Sequence, residues 1–275
     1  MDGPAQPLRT WRPMALWTAA ILAALGLAWF LGAVVGPLWQ ARAAIERYRP
    51  RCSHLNASGE LWNPKSAAQE VERLGGAREA SRRLSLYLRL SGSLAPHRKY
   101  AASMLGACKG QGVSVLTKLL KDKDDAVRRQ AAWALGNTGD AQAVEPLIEV
   151  LQDKNQPEPV RFAAGHAIVG IGDIRAVEIL KRALSNRHEQ VREYAAEALG
   201  NIGPQAKDVV PKLIAALNDE SDRVRNSACF ALGRIGPEAM EAIPALERAL
   251  TDADETVRTN AAEALKKIRG EEAGK

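Results

Sequence analysis

The chain of 275 residues has an ordinary globular composition, with 46% hydrophobic and 25% charged residues, which excludes a chain that is disordered throughout. Its net charge of +6 lies entirely in residues 1–93, which contain 12 basic and 6 acidic residues, whereas residues 94–275 contain 26 of each. A neutral region with both charges interspersed lacks the one-sided basic surface that binds phosphates, so we expect no nucleic acid as a partner.

The first predicted element is a transmembrane anchor at residues 14–39, which follows an N-terminal tail at residues 1–13. Residues 14–35 contain no charged residue, and at about 1.5 Å per residue a helix of this length crosses the roughly 30 Å hydrocarbon core of a bilayer. Indole rings favour the headgroup level of a membrane. Tryptophans flank the run at Trp11, Trp17 and Trp39.

A cleaved signal peptide is the alternative interpretation of this segment, because the sequence ARA at residues 41–43 fits a cleavage site. The uncharged run is longer than the roughly 7–15 apolar residues of a signal peptide, which favours the anchor. Four arginines against one Glu46 follow the run before residue 52. The positive-inside rule therefore favours a cytoplasmic repeat domain.

Residues 40–62 are predicted to be a linker, because they contain turn-forming residues such as Pro50 and Gly59. Asn63 and Pro64 form a helix-start pair, so the folded domain is predicted to cover residues 63–270. Residues 271–275 are then a C-terminal tail.

One motif recurs through residues 63–270. Its copies are VRRQAAWALGNTG from Val127, VRFAAGHAIVGIG from Val160, VREYAAEALGNIG from Val191, VRNSACFALGRIG from Val224, VRTNAAEALKKIR from Val257 and a weaker HRKYAASMLGACKG from His97. Their starts are separated by 30, 33, 31, 33 and 33 residues. A period of this length predicts a repeat solenoid.

Each repeat is predicted to be a helical hairpin, because a second amphipathic run precedes each copy. Val144, Leu147 and Ile148 illustrate the spacing of three and four that places apolar residues on one helix face. A single hairpin cannot bury both of its apolar faces, so neighbouring hairpins must stack.

The ends of the second helices carry recognisable signals. Loop residues with side-chain oxygens are expected to cap the next helix, and glycines are expected to end it. The expected caps are Asp122, Asp124, Asp219, Ser221 and Asp252. The expected terminating glycines are Gly139, Gly172, Gly203 and Gly236.

The three cysteines are too few, and odd in number, for a disulfide framework, and none is in a C-x-x-C pair. Cys229 occupies an alanine position of the motif and Cys108 an isoleucine position. Both are predicted to be buried small residues and not reactive thiols.

A repeat of the form D-x-x-V-R-x-x-A-A-x-A-L-G-x-I-G resembles the HEAT repeats of phycobilisome-lyase-like proteins, over about residues 64–270. The resemblance implies an all-α, right-handed α-solenoid of about six helical hairpins, here preceded by one transmembrane helix. It also implies that the second helices line the concave side.

The aromatic residues of the repeats fall in variable positions of the second helices. Only five occur from residue 94 onward, and His166 shares its position with Trp133 and Phe230. On the face that the resemblance assigns to the concave side, they predict a binding surface for a protein or peptide, because large rings dominate contact energies. The alternative is that each ring covers the seam to a neighbouring helix. The predicted surface comprises Tyr100, Trp133, Phe162, His166, Tyr194 and Phe230.

The arginine of each motif forms a second series, and acids precede five of these arginines. The series could bind anions, but we expect it to pair with the acids and to tie the repeats together. The arginines are Arg98, Arg128, Arg161, Arg192, Arg225 and Arg258, and the acids are Asp125, Glu158, Glu189, Asp222 and Glu255.

No catalytic residue, cofactor or metal site is predicted. The iron enzyme deoxyhypusine hydroxylase, a HEAT-like protein, needs several His-Glu pairs, and here only His188-Glu189 occurs. No P-loop, G-x-S-x-G or zinc spacing is present. The predicted function is a non-catalytic, monomeric, membrane-tethered scaffold for a protein or peptide partner. The alternative is an accessory protein or lyase of the phycobilisome type that acts on a chromophore or a protein substrate.

Overall fold

A computed structural model describes residues 30–48, 64–90 and 95–270, and within them the chain forms fourteen α-helices and no strand. The helices are α1 (Gly36–Tyr48), α2 (Pro64–Arg73), α3 (Gly76–Leu90), α4 (Ala95–Ala107), α5 (Val113–Leu119), α6 (Asp125–Thr138), α7 (Val144–Gln152), α8 (Glu158–Ile171), α9 (Val177–Ala183), α10 (Glu189–Ile202), α11 (Val210–Ala216), α12 (Asp222–Ile235), α13 (Ile243–Ala249) and α14 (Glu255–Arg269). A π-helical turn, Leu31–Val35, precedes α1.

The helices from α3 onward form six hairpins in chain order, with α4, α6, α8, α10, α12 and α14 as their second helices. Each second helix packs against the second helix of the next hairpin, and each first helix packs against its own partner. The predicted all-helical solenoid is therefore confirmed.

The predicted linker at residues 40–62 is wrong over its first part, because residues 40–48 belong to α1. Ala41, Ala44 and Ile45 are fully buried, with α1 packed on α3 and α2 packed on α4. Within the described residues the array thus has seven helical pairs where about six were expected. The apolar side of α1 consists mainly of alanines among charged residues, and this weak pattern conceals an amphipathic helix.

Polar contacts hold α1 to the array. Glu46 lies 3.2 Å from Nε2 of His97 on α4, and Nδ1 of the same ring is 2.9 Å from the hydroxyl of Tyr87 on α3. Arg47 donates to Glu70 of α2 over 3.0 Å, and the side chain of Glu70 is fully buried. The first helix is therefore part of the folded domain.

None of the helices in residues 30–48, 64–90 and 95–270 has the length and hydropathy needed to span a membrane. Residues 14–29, which make up most of the predicted anchor, lie outside the described residues.

The second helices approach each other closely where small residues meet. A Cβ added to a glycine of α4, α6, α10 or α12 would lie about 3 Å from an alanine Cα on the following second helix, so only glycine fits without a shift. The pairs are Gly106–Ala134, Gly136–Ala167, Gly200–Ala231 and Gly233–Ala264. In α8 the equivalent position is Val169, so the junction between α8 and α10 departs from this rule.

The predicted helix ends are confirmed in part. Asp124 caps α6, because its carboxylate accepts from Ala126 N over 2.9 Å and from Val127 N over 3.2 Å. Ser221 precedes α12 but makes no side-chain cap. Gly139 and Gly172 end α6 and α8 with φ of 63° and 59°, a conformation that disfavours any residue with a Cβ.

Cys108 and Cys229 are fully buried, as predicted. Burial raises the pKa of each thiol to about 12, so both remain protonated at neutral pH. Cys52 lies outside the described residues.

We predict opposite effects for two helical glycines. Gly136→Ala places a Cβ 2.8 Å from the Cα of Ala167 and should lower the free energy of unfolding by about 1–3 kcal/mol, because the backbones must separate. Gly170→Ala meets no atom within 4 Å and should raise it by about 0.5–1 kcal/mol through helix propensity. Denaturant unfolding followed by circular dichroism measures both, and equal shifts in the same direction would contradict the close packing.

Candidate partner-binding site on the second helices

The predicted aromatic surface contains a cluster of four rings on α6, α8 and α10. His166 lies at its centre, with its ring centroid 4.2 Å from that of Phe162. The ring of Trp133 stacks on it at 5.9 Å, and that of Tyr194 meets it edge-on at 5.6 Å. Successive second helices thus bring these four rings together in one cluster.

Two of the predicted rings also cover the seams between helices. A Cβ on Gly165 would lie 2.2 Å from the ring of Tyr194, and one on Gly200 would lie 3.0 Å from the ring of Phe230. These two rings are therefore packed over glycines of the preceding second helix. Burial raises the pKa of the Tyr194 hydroxyl first, and the charges of Glu193 and Glu197 raise it further.

Tyr100 does not contribute to an accessible surface, because only 9% of it is exposed. Phe162 is the most accessible of the predicted rings, with 51% exposure. The sequence pattern alone could not separate these two, since both occupy variable positions of the motif. Exposure depends on how far the next second helix covers each position.

Three of the six motif arginines bind a carboxylate of the next repeat, but the carboxylates are not the predicted ones. Arg192 donates from Nε and Nη2 to the two oxygens of Asp219 over 2.7 and 2.8 Å. Arg225 binds Asp252 in the same way, with both distances 2.8 Å. Arg98 binds Asp122 over 2.7 and 2.9 Å. We call each such arginine–aspartate pair a rung.

The prediction that the preceding acids pair with the arginines is wrong at four of five positions in the described chain. Only Asp125 lies within ion-pair distance of a motif arginine, Arg128. The other four acids also begin second helices, but within residues 95–270 none of them lies within ion-pair distance of a motif arginine. The missed aspartates could have been found from their fixed place, five residues before the valine of the next motif.

The rung aspartates do not cap helices, contrary to the prediction. Asp219 accepts from the backbone N of Ser221 over 3.0 Å and so fixes its own loop. The backbone carbonyl of the same Asp219 accepts from Nη1 of Arg225 over 3.0 Å. Each loop is thus held by the arginine of the preceding repeat and by that of its own repeat.

The pKa values of the rung carboxyls are lowered. For Asp252 the main cause is the hydrogen bonding of Arg225, partly offset by burial and aided by the backbone N of Asp254. For Asp219 burial is the largest single effect and raises the pKa, but Arg192 and Ser221 together lower it more.

Two arginines in the middle of the series have no such carboxylate. Arg128 donates to the amide oxygen of Gln156 over 2.9 Å. The side chain of Arg161 makes no hydrogen bond or ion pair within the described residues, and its Nε is buried. At the C-terminal end Arg258 donates to the carbonyls of Asp252 and Ala253 over 2.7 and 2.9 Å. The series is therefore interrupted beside the aromatic cluster.

In the described residues, no three His, Cys, Asp or Glu side chains are close enough together to hold a metal ion. His188 and Glu189, the one His-Glu pair of the sequence, lie at the start of α10. Nε2 of His188 is 3.0 Å from Nε of Arg187.

The packing and the motif together decide the family. The family model described as HEAT repeats matches residues 85–168 and 210–275, which together exceed half of the chain. The chain belongs to the HEAT-repeat family. A second family model, described as PBS lyase HEAT-like repeat, matches residues 191–219 of this HEAT-repeat protein. No curated protein matches this chain.

Solved structures with similar folds include natural and designed repeat proteins. The complex of CpcE and CpcF of phycocyanin lyase from Nostoc sp. PCC7120 is 27% identical, with 57% of this chain and 65% of that chain covered and a TM-score of 0.44. A designed armadillo repeat protein in complex with the peptide (KR)4 is 24% identical, with 73% and 93% covered and a TM-score of 0.43. An engineered protein is 23% identical, with 82% and 98% covered and a TM-score of 0.45.

We predict that acid weakens the array through its rungs. The folded-state pKa of Asp252 lies below that of the unfolded chain, so its stabilisation is present above about pH 4 and is lost as the pH falls below that value. Asp252→Asn should destabilise at pH 7 by about 1–3 kcal/mol and reduce the loss of stability between about pH 4 and pH 2. Thermal midpoints across this range measure the effect.

The matched control is Asp208→Asn, because Asp208 is exposed and makes no ion pair within the described residues. It should leave the pH profile unchanged. An Asp252→Asn profile parallel to that of the wild type would show that the rung does not contribute to acid unfolding.

Proposed function

We propose that this HEAT-repeat protein is a membrane-tethered scaffold without catalytic activity, which binds a protein or peptide on the exposed side of α6, α8 and α10. The observation that carries the proposal is the ring cluster around His166, from which Phe162 projects with 51% exposure. A large exposed ring held among other rings is a favourable anchor for a partner, because it is already ordered before binding.

The neighbours of Phe162 support a preformed surface. Trp133 and Tyr194 are half-buried and packed against the core, so their rings lose little freedom when a partner covers them. The rings lie on three successive second helices, and adjacent helices pack roughly 10 Å apart. Such a spacing suits an extended segment of a partner protein.

The chemistry of the array supports binding over catalysis. The motif arginines Arg98, Arg192 and Arg225 are held in rungs, and the two buried thiols have pKa values of about 12. These charged and sulfur-bearing groups are therefore engaged in holding the fold.

The tether is proposed from the uncharged run at residues 14–35. Phe30, Val35 and Trp39 are exposed by 48%, 38% and 70%, so apolar side chains remain accessible just before the docked part of α1. The arginines that follow favour a cytoplasmic array by the positive-inside rule. We propose that the protein acts as a monomer.

The second candidate is an accessory protein or lyase of the phycobilisome type. The match of the PBS lyase HEAT-like repeat to residues 191–219, which include Tyr194, favours it. On this hypothesis the same ring cluster would contact a chromophore or a protein substrate. A visible absorption band that remains with the purified full-length chain would favour this candidate over a scaffold.

We predict that a photo-crosslinking benzoyl-phenylalanine at Phe162 forms adducts with a partner protein in native membranes, because this ring is the most exposed of the cluster. The same residue at Met240, which is 64% exposed outside the cluster, should form none of these adducts. Denaturing gels and mass spectrometry identify the products.

Phe162→Ala should then weaken the affinity for the crosslinked partner by about tenfold or more, as expected for an aromatic anchor. Met240→Ala should leave the affinity unchanged. Adducts of the same mass from both positions, or unchanged affinity in Phe162→Ala, would rule out the aromatic surface.

We predict that the full-length protein stays in the membrane pellet after alkaline carbonate extraction and that a chain lacking residues 1–29 is released, because the uncharged run inserts in the bilayer. Immunoblots of both fractions measure this. Release of the full-length chain would contradict the tether, and a fluorescent reporter after Gly270 that is active only outside the cytoplasm would reverse the proposed orientation.

A further inference from the structure

The intact rungs define the ligand that a motif arginine binds. In the rungs of Arg192 and Arg225, Nε donates to one carboxylate oxygen and Nη2 to the other, over 2.7–2.8 Å. This two-bond geometry is specific for a planar carboxylate. The intact rungs therefore show that the ligand of a motif arginine is a carboxylate.

At Arg161 the residue in the aspartate position is Asn186, five residues before Val191. Oδ1 of Asn186 accepts from the backbone N of His188 over 2.9 Å, as Asp219 does from Ser221 in the intact rung. The remaining side-chain atom is therefore Nδ2, which lies 3.4 Å from the side-chain oxygen of Gln152. An NH₂ group cannot accept a hydrogen bond from a guanidinium.

Nε of Arg161 is consequently buried without a hydrogen-bond partner among the described residues. A buried donor on a charged group is costly when it is unpaired. The substitution of asparagine for aspartate thus leaves the loop intact but removes the carboxylate that the arginine would bind.

Arg161 lines a pocket of about 420 Å³ between the loops that follow α7 and α9. Lys154 and Arg187 also line it, together with Glu189 and Glu220. Glu220 already lies 3.2 Å from Nη2 of Arg192, so its charge is partly compensated.

The positive charges act on the half-buried His188 in the same pocket. Its pKa is lowered by burial first and then by the charges of Arg187 and Lys154. Three basic side chains, Lys154, Arg161 and Arg187, thus line the pocket against two acidic ones.

We propose that Arg161 binds a carboxylate from a protein partner, an aspartate or glutamate side chain, which takes the place that Asp219 and Asp252 hold in the intact rungs. This rests on the proposed function and names the chemistry of the partner. Arg161 and Phe162 are consecutive residues at the start of α8, so the proposed carboxylate site lies next to the ring cluster. A carboxylate fits better than a phosphate, because Glu189 and Glu220 in the same pocket repel a second negative charge.

The test uses the full-length chain in detergent and a fluorescent octaglutamate peptide with blocked ends, with octaglutamine as the neutral control. The wild type should bind octaglutamate more tightly than octaglutamine. Asn186→Asp supplies the missing carboxylate from within the chain, and Arg161→Gln removes the guanidinium. Each should weaken octaglutamate binding by about tenfold or more, as expected for loss of one desolvated charge pair.

Asn137→Asp is the matched control for Asn186→Asp, because it makes the same change in net charge at an exposed residue. Asn137 lies near the C-terminal end of α6, whereas the pocket lies at the N-terminal ends of α8 and α10. It should change octaglutamate binding by less than about twofold, since a distant exposed charge is screened by salt. Asn186→Asp should also raise the thermal midpoint by about 2–4 °C, because a completed rung stabilises a chain of this size. Arg161→Gln should not lower the midpoint, which shows that its loss of binding is not a loss of folding.

Unchanged octaglutamate binding in Asn186→Asp or Arg161→Gln would overturn the proposal, as would equal binding of octaglutamate and octaglutamine by the wild type. Stronger displacement of the peptide by inorganic phosphate than by acetate at equal ionic strength would overturn the choice of a carboxylate. If the crosslinked partner loses affinity in Phe162→Ala but not in Arg161→Gln, the aromatic surface stands and the carboxylate site fails. If the partner loses affinity in Arg161→Gln but not in Phe162→Ala, the carboxylate site stands and the aromatic surface fails.

Discussion

Each hairpin of the array can bury its apolar faces only against the hairpins beside it, and the whole structure depends on this constraint. Two devices satisfy it at most junctions. Glycine and alanine bring the second helices together, as at Gly200 and Ala231, and an arginine of one repeat holds a loop aspartate of the next, as at Arg225 and Asp252. The first device sets the distance between repeats and the second fixes the loops at one end of the second helices. The motif recurs because both devices need the same residues at the same places.

The sequence predicts the repeat architecture correctly because its period and its apolar positions follow directly from this constraint. It fails at α1, whose buried side consists mainly of alanines such as Ala41 and Ala44, since small side chains among charged ones give little hydropathic contrast. It also assigns the wrong acids to the arginines. Neighbours in sequence such as Glu189 share a helix with the motif arginine, but the bonding carboxylate arrives from the next repeat, 27 residues later at Asp219. Pairing across a stack depends on loop position, which sequence proximity does not indicate.

The candidate site lies where the array departs from its own rules. At the junction of α8 and α10, Val169 stands where other second helices have glycine, and Tyr194 packs on Gly165 instead. Asn186 stands where a rung aspartate is expected. The variable positions predict the aromatic cluster, but only the packing distinguishes the exposed Phe162 from the buried Tyr100. Departures that serve no purpose in stacking are expected where a surface is shaped for something outside the chain.

The docking of α1 has a mechanical consequence. The helix that leads from the N-terminal segment is held to its neighbours by the buried Ala41, Ala44 and Ile45 and by ion pairs such as that between Arg47 and Glu70. Load applied through the N-terminus therefore reaches the array along one edge layer, and in a stack whose layers touch only their neighbours that layer yields first. The rings around His166 lie three layers further along and keep their arrangement while α1 peels away. In the proposed tethered scaffold, the first helix can thus open under load without disturbing the proposed binding surface.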